Sequence, residues 1–269
     1  MISSPVNLSH WHTEPFLIGG ILFIGWLYAI IVAPLIFQNH TKHHFFSKSK
    51  AFCFFLGLLI FYLAVGSPLD PLGENFLFSA HMIQHNILMY ICPVFMLYGV
   101  PFRLLDDFLK TRPLFESFLR ILVHPIIAGL LFTIIFSFWH IGVFYEAALK
   151  DKTLHMAEHL SMFLSSLLMW WPICSESRRL PPIQFGPQML YILALMLGQT
   201  PIFAILTFSK EVLYDTYFYA ERVMNLSPLE DQKAGGVLMK LANMFVSVAV
   251  LSSIFFRWSK SQEPKTTTS

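Results

Sequence analysis

Long apolar segments alternate with short polar connections along this chain of 269 residues. Each segment approaches the roughly 20 residues that a helix needs to cross the hydrocarbon core of a bilayer. The pattern predicts an all-α, polytopic membrane protein with seven transmembrane helices, over residues 16–37, 51–67, 77–98, 119–139, 155–173, 187–208 and 236–256.

The composition favours the same class. Hydrophobic residues make up 55% of the chain and charged residues only 13%, which is too apolar for the surface of a soluble domain. The net charge of +2 comes without a basic stripe interleaved with aromatic residues, so no nucleic-acid partner is expected. The main partner of the surface is then the lipid bilayer.

The lysines and arginines outside the apolar segments predict the orientation. They concentrate in the first, third and fifth connections and after the last segment, whereas the connection before residue 77 has none. Positive charge marks the cytoplasmic side of a membrane protein. We therefore expect an extracytoplasmic N-terminal segment over residues 1–15, a transmembrane domain over residues 16–258 and a disordered cytoplasmic tail over residues 259–269.

One five-residue histidine pattern occurs twice, as His81-Met82-Ile83-Gln84-His85 and as His155-Met156-Ala157-Glu158-His159. On a helix, residues four apart lie on one face, about 6 Å apart along the axis. Both pairs begin segments predicted to run inward from outside, so the four imidazoles should meet at one depth near the outer surface. An ionisable residue in a membrane is costly and points to a functional site by default.

Other polar residues are expected at the same level. His140 ends the outward-running fourth segment, His10 and His12 lie in the N-terminal segment, and Asp231 precedes the seventh segment. We predict a metal centre with the ligands His81, His85, His155, His159, His140 and Asp231. The residues predicted to border these ligands, or to orient an imidazole through its second nitrogen, are Gln84, Glu158, Gln232, Met82 and Met156.

The residues alone leave alternatives at this centre. Imidazole suits copper, zinc, iron and nickel, so the spacing does not select the metal. Interfacial histidines also lie at lipid headgroups without binding any metal. Asp231 has an alternative role as the partner of a positive helix end.

The approach to the seventh segment carries a helix-start signal. Ser227 and Glu230 have the spacing of a capping box, with Pro228 at the first helical position. Two consecutive glycines, Gly235 and Gly236, predict close packing against a neighbouring helix. Lys240 lies inside the segment, and the sequence indicates no partner for it.

Several motifs together resemble the CtaG family of seven-span cytochrome c oxidase assembly factors. The resemblance is collinear from about residue 16 to residue 258, and Lys240 departs from it because the family usually has tryptophan there. Besides the two histidine pairs, it is carried by Ser67-Pro68-Leu69-Asp70, Phe78-Ser79-Ala80, Gly99-Val100-Pro101, Trp170-Trp171-Pro172, Ser227, Asp231-Gln232 and Gly235.

The resemblance implies a multi-pass protein of the bacterial plasma membrane that helps to build a haem-copper oxidase. It implies copper, as Cu(I), delivered from the outer face toward the CuB centre, and no enzymatic activity. The implied partners are subunit I of the oxidase and other assembly factors, and a homo-oligomer is left open.

Two other functions are compatible with the residues. His155, Glu158 and His159 have the spacing of an inverted zincin motif, in which two histidines bind zinc and the glutamate is the general base, so an intramembrane metallopeptidase is one alternative. One histidine from each pair could instead be an axial ligand of a haem, as in a membrane cytochrome.

Overall fold

A computed structural model describes residues 11–37 and 46–262, so His10 and residues 263–269 of the predicted tail lie outside it. Within the described ranges the chain forms helices and connecting loops, without any strand. The α-helices are α1 (Pro15–Phe37), α2 (Lys48–Gly66), α3 (Leu69–Asn75), α4 (Phe78–Asn86), α5 (Cys92–Tyr98), α6 (Phe102–Lys110), α7 (Pro113–Leu122), α8 (Pro125–Trp139), α9 (Gly142–Lys150), α10 (Lys152–Cys174), α11 (Phe185–Phe208), α12 (Asp215–Tyr219) and α13 (Pro228–Gln262).

Five of the described helical stretches are long and apolar enough to cross a membrane: α1, α2 with α3, α4 to α5, α11 and α13. The bent pair of α7 and α8 makes a sixth if it counts as one span. The predicted all-α, multi-pass class is confirmed at this level. The remaining predicted segment, 155–173, falls in α10, which has polar residues in its first half. Seven spans and the orientation therefore stay predictions.

Two helical stretches run differently from the predicted segments. Segment 119–139 is broken at His124, where α7 and α8 meet at 62°. Pro125 has no N–H group to continue a helix, and it disfavours helical geometry at His124, which has φ −62° and ψ 129°. At the other end of the chain, α13 continues to Gln262 and takes up the first residues of the tail that was predicted to be disordered.

A π-helical turn, Ile87–Ile91, joins α4 to α5 directly after the first histidine pair. Two side chains of α10 bind carbonyl groups of this turn. Trp170 Nε1 donates to the Met89 carbonyl at 2.8 Å, and Ser166 Oγ donates to the Leu88 carbonyl at 3.4 Å. Polar contacts of this kind hold helices together where water is absent. They fix α10 beside α4, so that the two histidine pairs face each other.

The start of α13 holds the start of α4. Asp231 is fully buried and accepts hydrogen bonds from Phe78 N at 2.7 Å, Ser79 N at 3.2 Å and Ser79 Oγ at 2.5 Å. The first N–H groups of a helix have no partner inside the helix, and their positive end favours a carboxylate. Asp231 therefore caps α4 from a neighbouring helix.

Other expectations for α13 are confirmed. Ser227 N donates to Glu230 Oε2 at 2.8 Å and Glu230 N donates to Ser227 Oγ at 3.3 Å, which is a capping box. Gly235 packs so closely on Phe78 that a Cβ atom would lie 2.6 Å from the ring Cε1. Lys240 donates to Thr200 Oγ1 at 3.2 Å, which supplies the partner that the sequence did not indicate.

Replacing Asp231 should destabilise the protein by about 1–3 kcal/mol, because Asp231→Ala leaves buried donors of α4 unpaired. Thermal unfolding in detergent measures this, with Asp215→Ala as the control because Asp215 is an exposed residue in the first turn of the short α12. Equal losses for the two variants would contradict the capping role.

Adding one methyl group should separate α13 from α4. Gly235→Ala places a carbon against the Phe78 ring and should cost about 1–3 kcal/mol through overpacking. Gly20→Ala in α1 is the matched control, since its Cβ would meet nothing within 4 Å. Thermal unfolding of the two variants side by side measures the difference in stability. A Gly235→Ala variant as stable as Gly20→Ala would refute the close contact between Gly235 and Phe78.

Candidate metal centre

Four side chains from two helices converge in a group that we call the inner centre: His81 and His85 of α4, and Glu158 and His159 of α10. Each offers one ligand atom, and these atoms all lie within 4.8 Å of one another. The Nε2 atoms of His81 and His85 are 2.8 Å apart, and Glu158 Oε1 lies 3.9 Å and 3.6 Å from them. The four donor atoms thus surround one point.

The inner centre is sealed from solvent, and much of its polar surface is unpaired. His81, His85 and Glu158 are fully buried, and His159 is 5% exposed. No hydrogen-bond partner is present for either oxygen of Glu158, for Nδ1 of His81 or His85, or for Nε2 of His159. Each buried polar group without a partner costs about 1–3 kcal/mol. The Nε2 atoms of His81 and His85 pair with each other, whereas His159 Nε2 and both Glu158 oxygens are unpaired. Together these atoms form a donor set of the kind that a metal cation satisfies.

The i, i+4 spacing explains the convergence. His81 and His85 share one face of α4, and His159 comes from the facing side of α10, with ring centroids 5.5 Å and 5.3 Å from the first two. The π-helical turn and its bonds to α10 set the register between these faces. The structure therefore brings the two pairs together, while their binding of metal stays a prediction.

His155 belongs to a second group beside the inner centre. Its Nδ1 pairs with Glu74 Oε1 at 2.5 Å, and it groups with Asp70 and His159, whose ligand atoms all lie within 4.8 Å of one another. Glu158, expected to orient an imidazole, takes the fourth place in the inner centre instead. The four imidazoles thus lie together, with the His155 ring centroid 5.4 Å from that of His81, and their donor atoms divide into two adjoining groups that share His159.

His140 lies beside the inner centre but outside both groups. Its Nδ1 is 2.7 Å from the carbonyl of Phe136, one turn earlier in α8, and its ring centroid is 5.9 Å from that of His85. Its Nε2 has no hydrogen-bond partner. The structure therefore brings His140 close to His85 without making it part of the ligand set.

The predicted roles of Asp231 and Gln232 are corrected. Asp231 uses both oxygens to cap α4, as described above. Gln232 Oε1 accepts from Leu213 N at 2.7 Å, and its Nε2 donates to the carbonyls of Leu206 and Glu211 at 3.4 and 3.3 Å. Both side chains connect helices and loops, because the first turn of α13 packs on α4 and α11.

Neither methionine of the histidine patterns borders the inner centre. Met82 is buried in the apolar core, where its Cγ would lie 3.2 Å from a Cβ on Gly235. Met156 is 62% exposed on the outer face of α10. One residue after a histidine, a helix has turned by about 100°, which carries both thioethers away from the imidazoles.

Gln84 acts on a carboxylate and not on an imidazole. Its Nε2 donates to Asp70 Oδ1 at 2.5 Å and to the Ala64 carbonyl at 3.0 Å. Sequence reasoning did not select Asp70 or Glu74 as site residues. The signal that could have found them is a short acidic helix, α3, placed between two apolar segments and next to the first histidine pair.

Comparison with known proteins gives a family match. A family model described as cytochrome c oxidase caa3 assembly factor matches residues 10–261, nearly the whole chain. No curated protein and no solved structure matches. The chain therefore belongs to the family of cytochrome c oxidase caa3 assembly factors.

Proposed function

We propose that this protein binds copper at the inner centre and delivers it toward the CuB centre of a haem-copper cytochrome c oxidase during assembly. Members of its family assemble cytochrome c oxidase, which implies association with the oxidase complex. The observation that carries the copper assignment is the inner centre itself, where four donors converge in a dry environment and His159 Nε2 and both Glu158 oxygens have no partner.

The donor chemistry agrees with this proposal. Three imidazoles and one carboxylate suit copper, and also zinc. Thioether sulfur, which would select Cu(I), is absent from the set because both methionines turn away. Both oxygens of Glu158 are buried and unpaired, so a bound cation would stabilise its ionised form. His81, His85 and His159 hold the ion, and Glu158 balances its charge.

The proposal includes the finer topology. If α10 also crosses the membrane, the spans number seven. With the N-terminus outside, the histidine pairs then lie at the extracytoplasmic ends of α4 and α10. Copper supplied from outside the bacterial plasma membrane would then reach the centre at shallow depth, and subunit I of the oxidase is the recipient.

A zinc metallopeptidase fits this geometry less well. In an inverted zincin motif both histidines bind one ion and the glutamate activates water. Here His155 belongs to a different group from Glu158, and Glu158 has no exposed surface for a peptide or a water to reach.

A haem between the two pairs is also disfavoured. The rings of His85 and His159 are 5.3 Å apart, and no water-sized space touches His81 or His85. A porphyrin would have to separate α4 from α10 along its full width.

The central prediction is that the purified protein binds one Cu(I) per chain at the inner centre. Anaerobic titration should show affinity at least about tenfold weaker, or about 1.4 kcal/mol, in His81→Ala, His85→Ala, His159→Ala and Glu158→Gln, because each change removes a ligand. His124→Ala is the control, since His124 is exposed at the break between α7 and α8.

Three outcomes would contradict the proposal. Unchanged affinity and stoichiometry in all four ligand variants would remove the inner centre from copper binding. Stoichiometric haem absorbance in the visible spectrum of the same samples would favour a cytochrome. A Glu158→Gln variant that binds metal fully but no longer supports oxidase assembly would favour the peptidase chemistry.

A further inference from the structure

A second group of ligand atoms adjoins the inner centre, and we call it the outer site. It consists of Asp70 from α3 with His155 and His159 from α10, and their ligand atoms all lie within 4.8 Å of one another. His159 belongs to both groups. The outer site therefore offers a cation three donors, one of which is already a donor of the inner centre.

The outer site is arranged as metal sites are. Glu74 pairs with Nδ1 of His155, and a carboxylate in this position fixes the tautomer that leaves Nε2 free to bind. That Nε2 is buried and has no hydrogen-bond partner, and the same holds for Nε2 of His159. Gln84 orients Asp70 by donating to its Oδ1. Two unpaired nitrogens and an oriented carboxylate thus point to one ligand.

Exposure rises from the inner centre through the outer site to the surface. The side chains of His81, His85 and Glu158 are 0% exposed, whereas those of His155 and Asp70 are 6% and 8% exposed. Beyond them, the side chains of His12 and Glu74 are 15% and 23% exposed. The outer site lies between solvent and the sealed centre.

The charged groups around the outer site favour a cation. Asp70 and Glu74 place two carboxylates around His155, and His12 Nε2 lies 3.1 Å from Asp70 Oδ2. The nearby Lys152 is paired with Glu14, and this hydrogen bond lowers the pKa of the Glu14 carboxyl. The pair with Glu14 keeps the ammonium group of Lys152 at the solvent-exposed surface, so this group does not occupy the outer site.

We propose that the outer site is where the metal cation first binds, and that His159 passes it to the inner centre. This inference rests on the proposed function. Asp70 and His155 leave the ion one at a time as Glu158 and the histidines of α4 bind it, while His159 stays bound. The ion keeps its oxidation state, so the transfer needs no other reactant. Glu74 and Gln84 act as positioning residues.

The test follows Cu(I) loading of the purified full chain by stopped-flow, with Cu(I) supplied from a coloured chelator. Asp70→Asn and Glu74→Gln should slow Cu(I) loading at least about tenfold. Loss of a group that orients a metal ligand commonly lowers metal affinity or activity by about 10- to 100-fold, and the expected effect is at the lower end of that range. Their final affinity at the inner centre should stay within about twofold. Glu146→Gln is the matched control, a half-buried carboxylate of α9 that is bonded to Thr216 and lies in neither group.

Equilibrium titration supplies a second readout. His85→Ala should retain one weakly bound Cu(I) at the outer site, and the double variant with Asp70→Asn should retain none. Because Glu74 is partly exposed, Glu74→Gln keeps the test valid if Asp70→Asn fails to fold.

The outcomes separate the two proposals. If Asp70→Asn and Glu74→Gln load Cu(I) at the wild-type rate, the outer site is overturned. The proposed function still stands in that case, provided that the four ligand variants of the inner centre bind Cu(I) more weakly than the wild type. Wild-type protein that binds no Cu(I) would overturn the proposed function and the outer site with it. Slow loading of Asp70→Asn and Glu74→Gln at unchanged final affinity is the result expected here.

Discussion

Glu158 sets the main physical constraint on this protein. Its carboxylate is fully buried among three imidazoles of an apolar helix bundle, and neither oxygen accepts a hydrogen bond. A buried ionised group is tolerated only when it is paired or coordinates a metal. The inner centre therefore needs a positive charge to be stable as an ionised site, and a bound cation would supply that charge.

The rest of the structure places the helices that carry this centre. Asp231 caps the start of α4, and Trp170 and Ser166 bind the carbonyls of the π-helical turn where α4 ends. Asp231, Trp170 and Ser166 make hydrogen bonds to backbone groups, whereas several polar atoms of the inner centre have no hydrogen-bond partner. π turns inside helices often accompany functional sites, and this one begins two residues after His85. The side chains that position the helices are thus different from those of the proposed metal centre.

Sequence patterns predicted the parts of this arrangement that depend on local periodicity. Apolar length located the helices, the i, i+4 spacing placed each histidine pair on one face, and Ser227 and Glu230 marked the start of α13. These features need only the geometry of a single helix.

Features that depend on packing between helices could not be predicted. The rotation of α10 decides that Glu158 and not His155 completes the inner centre, and no periodicity reports that rotation. Asp231 looked like a ligand because it lies at the level of the histidines, but α13 directs it to the N–H groups of α4. Asp70 and Glu74 lie at the site because Glu74 of α3 pairs with His155 of α10, a contact between residues far apart in the chain.

X-ray absorption at the copper edge of the copper-loaded protein tests whether the inner centre binds copper. We expect a first shell of nitrogen and oxygen only, with the outer-shell scattering of three imidazoles in the wild type and of fewer in His85→Ala. A sulfur scatterer in the first shell, or a spectrum without imidazole scattering, would contradict a copper centre formed by His81, His85, Glu158 and His159.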